Sequence, residues 1–487
     1  MAENKKQLIP IRYIVALLGH CGILVAYTMR VNLSVALVAM VNSTYVQERS
    51  HHTIDPECQK SGTNSTTSLQ DGEFEWDEQL QGTILGSFFY GYMVTQLPGG
   101  LLATLFGGKW VFGIGILITS LLTIVTPFAA RLNVNLFIAL RVAEGIGEGV
   151  TFPAVHAILG RWSPVYERSK LATLVYSGSS LGTLLGYPIA GVLCDSNFLG
   201  GWPSAFYVFG VLGIIWFIFW CLFVSSSPET HPMISTEERH YIIAHRGGNS
   251  FRESDRPPWI KIFTSLPVWA IVVAHTCHNW TFYTFLTCLP SYFKEVLNFP
   301  IKENGFLSAL PYLAAFICSL IVGQFADFLR YRGILSTGKV RKLMTVSGLF
   351  IPSGLLIVMS YMGCGQVIIA VALVTTAIGI LGFNVAGFLI NHLDVAPKYA
   401  GILQGITNTV ATVPGFLGPA VVGILTENKP TREQWQKVFF ISSGIATFGG
   451  IIFLIFASGN EQTWCKRPIL IDDEKENNDD DNRPLVQ

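Results

Sequence analysis

Twelve stretches of this chain, each long enough to cross a bilayer as a helix, are almost free of charge. A helix needs roughly 20 apolar residues to span about 30 Å of lipid. The stretches fall at 12–42, 80–105, 110–130, 135–160, 170–195 and 204–226, then at 266–296, 304–329, 341–362, 366–392, 399–426 and 434–458. Only 13% of the residues are charged, against about a quarter in an ordinary soluble chain, and those charges gather between the stretches. A soluble α-rich enzyme is set aside on that ground. Formal net charge is zero, so no nucleic-acid partner is expected. The pattern predicts an all-α polytopic membrane protein, with twelve transmembrane helices in two six-helix bundles and the lipid bilayer around them.

The expected division is an N-terminal tail (1–11), a first bundle (12–226) with a long loop at 43–79, a polar central loop (227–265), a second bundle (266–458) and an acidic C-terminal tail (459–487). The polar start, Met1 to Gln7, lacks the apolar core and cleavage site of a signal peptide, so the first span is expected to stay as an anchor. Orientation follows from Lys and Arg in short loops. Lys5, Lys6 and Arg12 precede the first span, Arg161, Arg168 and Lys170 lie between the fourth and fifth, and Arg330, Arg332, Lys339, Arg341 and Lys342 lie between the eighth and ninth. Both tails are therefore expected in the cytosol and the 43–79 loop on the luminal side. That loop carries Asn42-Ser43-Thr44 and Asn64-Ser65-Thr66, which makes Asn42 and Asn64 candidate glycosylation sites. Asn64 is the better candidate, because Asn42 lies close to the membrane. Asn32-Leu33-Ser34 and Asn279-Trp280-Thr281 fall inside spans, where no glycan fits. Nine cysteines show neither a disulfide framework nor metal spacing, and no metal or cofactor is expected.

Charges inside a span are the strongest functional signal, since each costs several kcal/mol unless paired or hydrated. Arg30 sits in the first span with apolar or small neighbours. It cannot shed its proton, so it must face a partner or a water-filled cavity. Its planar fork matches a carboxylate, which makes it a candidate substrate-anion site; a structural pair with a glutamate of another span is the alternative, and the two can alternate in a cycle. In the fourth span Arg141, Glu144 and Glu148 form one stripe at three- and four-residue spacing. Two carboxylates one turn apart in a low-dielectric site do not both ionise cheaply, so one is a candidate proton carrier, Glu148 ahead of Glu144 because Arg141 stands nearer Glu144. A permanent packing pair with Arg141 is the alternative. Gly145, Gly147 and Gly149 between them, and Gly178, Gly182 and Gly186 in the fifth span, are expected to let neighbouring helices approach closely.

His20, His156, His275, His278 and His392 also fall at membrane depth. A lone histidine there is more often packing than relay; His156, two turns after Glu148, is the candidate for proton coupling. Tyr90, Tyr92, Tyr176, Tyr283 and Tyr312 are candidates to line a cavity, Tyr92 and Tyr176 foremost as substrate-binding residues. His392 with Asp394 does not by itself make a membrane-enzyme site, and no enzyme activity is expected. A faint repeat relates the two halves: Gly82, Gly100 and Ala103 recur as Gly305, Gly323 and Ala326. The second copy continues to Asp327 and Arg330, candidate gating residues that latch helix ends on the cytosolic face. The first copy has Thr104 where Asp is expected.

Parallel six-helix halves with that glycine–aspartate loop motif resemble the major facilitator superfamily. More specifically, Met29-Arg30-Val31-Asn32-Leu33-Ser34, Gly86-Ser87-Phe88-Phe89-Tyr90-Gly91-Tyr92, Thr95-Gln96-Leu97-Pro98-Gly99-Gly100, the run Glu144 to Ala154 and Asn391-His392-Leu393-Asp394-Val395-Ala396-Pro397 resemble the organic anion transporters that include lysosomal sialic acid carriers, vesicular glutamate transporters and type I sodium–phosphate cotransporters. The resemblance runs from about Arg12 to Trp464. It implies proton-coupled symport of small organic anions, sialic acid and other acidic sugars first and acidic amino acids second, across a lysosomal or vesicular membrane. It also implies that Arg30 meets the substrate anion and that Arg141, Glu144 and Glu148 are needed for transport; His156 matches a histidine of the sialic acid carriers. Glutamate carriers have His where this chain has Leu85 and Arg where it has His278, and both departures count against dedicated glutamate uptake. The sialic acid carriers have Tyr at the His278 position, which leaves the preferred anion open. Their acidic dileucine sorting signal is also missing, since Glu3 stands one residue too far from Leu8-Ile9, so a plasma-membrane sodium-dependent phosphate or organic anion carrier remains the rival expectation.

Overall fold

The computed structural model describes residues 9–42, 72–76, 78–246, 257–296, 301–362, 366–426 and 431–465. In hydrocarbon a backbone N–H or C=O finds no water, so an apolar spanning segment satisfies these groups within its own helix. The first half forms α1 (Ile11–Met40), α2 (Glu78–Phe106), α3 (Gly108–Leu132), α4 (Val134–Gly149), α5 (Thr151–Trp162), α6 (Arg168–Asp195) and α7 (Pro203–Phe223). A short α8 (Thr236–His245) and α9 (Trp259–Phe263) lie in the central loop. The second half forms α10 (Leu266–Glu295), α11 (Ile301–Tyr331), α12 (Thr337–Met359), α13 (Val367–Leu381), α14 (Ile390–Val395), α15 (Ala400–Thr412), α16 (Pro414–Thr426) and α17 (Arg432–Phe456).

These helices make twelve passages, three of them interrupted. Val150 separates α4 from α5, and Pro153 follows in the first turn of α5, where a proline lacking its N–H is tolerated. A wider-wound segment, Val385–Leu389, with non-helical backbone at Gly387 (φ −93°, ψ −116°), joins α13 to α14. Val413 separates α15 from α16, which starts at Pro414.

Among the described residues, eight passages are long and apolar enough to cross a membrane by length and composition alone. The other four are α2, α4 with α5, α6, and α10, and every one of them contributes to the wall of the central cavity described below. They read as less apolar because they carry glycines, hydroxyls, histidines and charges toward that cavity and toward each other. Passages three, six, nine and twelve (α3, α7, α12 and α17) contribute nothing to its wall.

Glycine permits the closest approaches. A Cβ on Gly145 would stand 2.0 Å from the Phe88 carbonyl of α2, and one on Gly178 would stand 2.3 Å from the His20 carbonyl of α1. Backbone therefore meets backbone along α2–α4 and α1–α6, and the fourth-span charges are pressed between helices. The two halves meet along α2–α15 and along α6–α11.

At the end expected to face the cytosol, α8 lies against the first half. Its Ser235 cap accepts from Glu238 N–H at 3.1 Å. The Glu238 carboxylate in turn accepts the N–H groups of Ile11 and Arg12 at 2.9 and 3.2 Å, capping α1. Beside it Glu167 accepts from Arg12 Nε at 2.8 Å, Tyr13 OH at 3.0 Å and Tyr241 OH at 3.1 Å. Burial works to raise the Glu167 carboxyl, but these bonds outweigh it and hold it below the usual carboxylate value. At the opposite end Phe74, Trp76, Phe137 and Trp202 close the first half, and Asn42 N–H bonds to the Phe74 carbonyl at 2.8 Å. Asn64 and the other sequence features of 43–71 lie outside the described residues.

Candidate functional site

Between the halves lies a cavity of about 100 Å³; a second crevice beside Trp162 encloses about 10 Å³. The first half supplies Tyr27, Tyr92, Tyr176 and Ser179 to the wall, and the second half supplies His278, Asn279, Tyr283, Asn384 and Asn408. Among the described residues, none in the wall is Asp, Glu, Lys or Arg. The lining is instead hydroxyl, amide, imidazole and aromatic. Asn384 donates to His278 Nδ1 at 3.2 Å and to the Gly348 carbonyl at 2.9 Å, and Asn279 donates to the Ala411 carbonyl at 2.7 Å. Asn408 donates to the Tyr92 hydroxyl at 3.2 Å, from one half to the other.

Arg30 sits just behind this wall. Its Nε donates to Glu148 Oε1 at 2.9 Å, and its Nη2 donates to the same oxygen. The guanidinium carbon stands 4.6 Å from the ring centres of both Tyr27 and Tyr92 and 4.9 Å from that of Phe88, so three aromatic faces surround the cation. Tyr27 and Tyr92 separate it from the cavity. Both Arg30 and Glu148 are buried, and each keeps an unused atom: Arg30 Nη1 and Glu148 Oε2 have no hydrogen-bond partner among the described residues. An arginine fork with one arm free can take a carboxylate bidentately once it lets go of Glu148.

The rest of the fourth-span stripe points elsewhere. Arg141 pairs with Glu144, three residues on, and Glu144 also accepts the Thr126 hydroxyl of α3 at 2.7 Å. This pair lies inside the first half, between α2, α3 and α4. Phe88 connects the two pairs, with the Arg141 guanidinium 5.3 Å from its ring.

Beside the cavity stand the buried His156 and His392, next to His275 of its wall. Tyr176 donates its hydroxyl to His156 Nδ1, and His156 Nε2 donates to the Leu389 carbonyl at 2.8 Å. His392 Nδ1 donates to the same carbonyl at 2.9 Å, while Thr407 Oγ1 lies 2.9 Å from His392 Nε2 and 3.3 Å from His275 Nδ1. Leu389 ends the irregular segment between α13 and α14, and two imidazoles from opposite halves satisfy its carbonyl.

The expected cytosolic ends of the halves are joined by charge. Asp327 accepts the N–H groups of Ser169 and Lys170 at 3.3 and 2.6 Å, which places a carboxylate at the N-terminus of α6. Arg330 supports it from the next turn, with Nη1 at 3.4 Å. Asp394 pairs with Arg168 at 3.1 Å and with Arg341 at 2.6 Å, all three buried. Where the first repeat copy has Thr104, α2 meets the other half without charge: a Cβ on Gly100 would stand 2.3 Å from the Gly401 carbonyl.

Of the residues singled out in the sequence, Tyr92, Tyr176 and Tyr283 line the cavity and Arg30 and Glu148 stand directly behind Tyr92; Glu144 and Arg141 are set back from it. Tyr90 does not line it. It is 53% exposed on the outer surface, beside Phe416, because two residues along a helix turn a side chain by about 200°. Tyr312 is buried outside the lining. The sequence reading missed Asn279, Asn384 and Asn408. Their signal is an uncharged amide inside an apolar run, which at Asn279 coincides with a sequon at a depth where no glycan fits.

The major facilitator superfamily profile matches residues 20–419. Sialin from Homo sapiens is 47% identical over 456 residues, covering 93% of this chain and 90% of that one. Vesicular glutamate transporter 1 from Bos taurus is 43% identical over 463 residues, covering 94% of this chain and 79% of that one. Among solved structures, the proton:xylose symporter XylE bound to 6-bromo-6-deoxy-D-glucose superposes with a TM-score of 0.67 at 14% identity, over 92% of this chain and 96% of that one. At that identity the likeness speaks to the fold alone.

Proposed function

This chain belongs to the major facilitator superfamily as a sialin-like member of the organic anion transporter family, and we propose that it carries sialic acid and other acidic sugars together with a proton. It is an integral membrane transporter and not an enzyme. In this reading the membrane is lysosomal or vesicular, both termini are cytosolic, and the halves 12–226 and 266–458 rock about the cavity. Acidic amino acids are second-rank substrates, supported by the likeness to vesicular glutamate transporters.

The observation that carries the reading is the half-used Arg30–Glu148 pair behind the tyrosine wall. A substrate carboxylate competes with Glu148 for the guanidinium. Adding a proton to Glu148 removes its hold on Arg30, so proton and anion load together and neither is easily carried alone. One proton with one monoanion moves no net charge, and an acid lumen drives export without opposition from the membrane potential. The wall of hydroxyls, amides and aromatic faces suits a polyol with hydroxyls to bond and C–H faces to stack. The Asp327, Asp394 and Gly100 contacts close one end, as alternating access requires of a carrier facing the lumen, and they must part for release.

Glu148→Gln provides the test, in proteoliposomes holding the full chain. The variant keeps the size of the side chain and imitates its protonated form. It is expected to exchange labelled sialic acid across the membrane while losing accumulation driven by a pH gradient. If accumulation survives at the wild-type level, Glu148 is not the proton carrier.

A further inference from the structure

The hydrogen bond between Asn408 and Tyr92 joins the two halves at a place where the cavity wall covers Arg30. We infer that Asn408 and Tyr92 form a substrate-operated cover, which keeps the Arg30–Glu148 pair away from the cavity until a ligand takes the Asn408 amide. The inference rests on the proposed anion and proton roles of that pair.

Three features support it. First, Tyr27 and Tyr92 belong to the cavity wall, whereas Arg30 and Glu148 do not, so the rings of Tyr27 and Tyr92, each 4.6 Å from the cation, are the partition. Second, the backbone of Tyr92 is fixed. A Cβ on Gly149 would stand 2.5 Å from the Tyr92 carbonyl, and this close packing of α2 on α4 leaves side-chain rotation as the way to open the partition. Third, the hydroxyl at the tip of that side chain is held from the other half, where Asn408 donates at 3.2 Å. Asn408 itself lines the cavity, so a sugar hydroxyl or carboxylate arriving there competes for the same N–H.

The cover also explains how slip is avoided. The charged and titratable groups around the pair are Arg141 and Glu144 on α4 and Tyr27, Tyr92 and Tyr283 around the cation. With Tyr92 in place, water in the cavity does not reach Glu148, and an empty carrier carries no proton. When a ligand takes Asn408, Tyr92 swings, Arg30 meets the anion and Glu148 meets the proton in one event. Tyr92 and Asn408 are thus positioning residues: they act through Arg30 and decide when it is available.

The experiment uses Tyr92→Phe, Asn408→Ala and the double variant in proteoliposomes with a trapped pH dye. Tyr92→Phe removes one oxygen and keeps the ring. Proton flux is read without substrate, and labelled sialic acid uptake is read in parallel. Each single variant is expected to raise substrate-free proton flux about fivefold, the weight of one neutral hydrogen bond, and the double variant is expected to leak no more than either single. Unchanged flux in both single variants overturns the cover, and so does a double variant whose leak is the product of the two. Should wild-type vesicles take up no labelled sialic acid under an acid gradient, the functional reading fails, and the leak comparison still decides the cover separately.

Discussion

Arg30 and Glu148, 118 positions apart in the chain, share one carboxylate oxygen within a buried pair that borders the cavity without opening onto it. Such a pair is a weak source of stability, because desolvation offsets most of the attraction. It is better suited to exchange, since either partner can be drawn away by a competitor of equal charge.

Arg30→Lys keeps the charge and loses the fork. An ammonium cannot hold two oxygens in one plane, so the apparent affinity for sialic acid is expected to fall at least about tenfold, equivalent to roughly 1.4 kcal/mol. Concentration dependence of uptake measures this directly, and an unchanged KM removes Arg30 from the anion site.

Asp394 holds Arg168 and Arg341 in a buried junction. Asp394→Asn takes the shared carboxylate charge from two buried guanidinium groups, a change of about 3–5 kcal/mol when one partner of a buried pair is lost, and should lower thermal stability sharply. Asp327→Asn is milder, because the amide oxygen can still accept one α6 N–H group and what is lost is the charge at the helix end with its long ion pair to Arg330. Its effect should be about 1 kcal/mol and should appear as opening at this end of the molecule. Tyr166 and Tyr331 stand here with ring centres 6.4 Å apart. Spin labels at these two positions should gain a long-distance population in Asp327→Asn; an unshifted distribution argues against a latch.

Gly145→Ala places a methyl group 2.0 Å from the Phe88 carbonyl. Neither backbone can yield without displacing Tyr92 or Glu148, so overpacking of about 1–3 kcal/mol is expected, together with a fall in transport per folded molecule. A variant as stable and active as wild type shows that α2 and α4 are not locked together here.

Glu167 predicts a pH dependence. Its carboxyl lies below the ordinary value in the folded chain, so its bonds to Arg12, Tyr13 and Tyr241 stabilise the fold at and above the unfolded value and are lost as pH falls through the lower folded value. Glu167→Gln should therefore melt earlier than wild type at pH 7, and the gap should close below about pH 4. A gap that persists in acid assigns the loss to packing rather than to charge.

The spans, Arg30 and the helix 4 stripe were legible in the sequence because lipid tolerates few charges and makes each one conspicuous. The identity of Arg30's partner was not: Arg141 and Glu144 meet locally at three residues' distance, but Glu148 pairs with Arg30, 118 positions away, and only the tertiary fold brings the two together. Arg168 and Arg341 were counted as loop charges that set orientation, yet both are buried against Asp394; a charge census by position cannot distinguish a solvated loop from a helix end turned inward. The cavity amides were overlooked for the opposite reason. Asn279, Asn384 and Asn408 carry no charge and do not disturb the apolar pattern, although the wall depends on them.

Uptake of labelled sialic acid into proteoliposomes, with pH gradient and membrane potential set independently, tests the central claim most directly. An acid exterior should drive accumulation with one proton per anion, at a rate that the imposed potential leaves unchanged. Accumulation driven instead by a sodium gradient, or by potential at equal pH, would contradict proton–anion symport through Arg30 and Glu148.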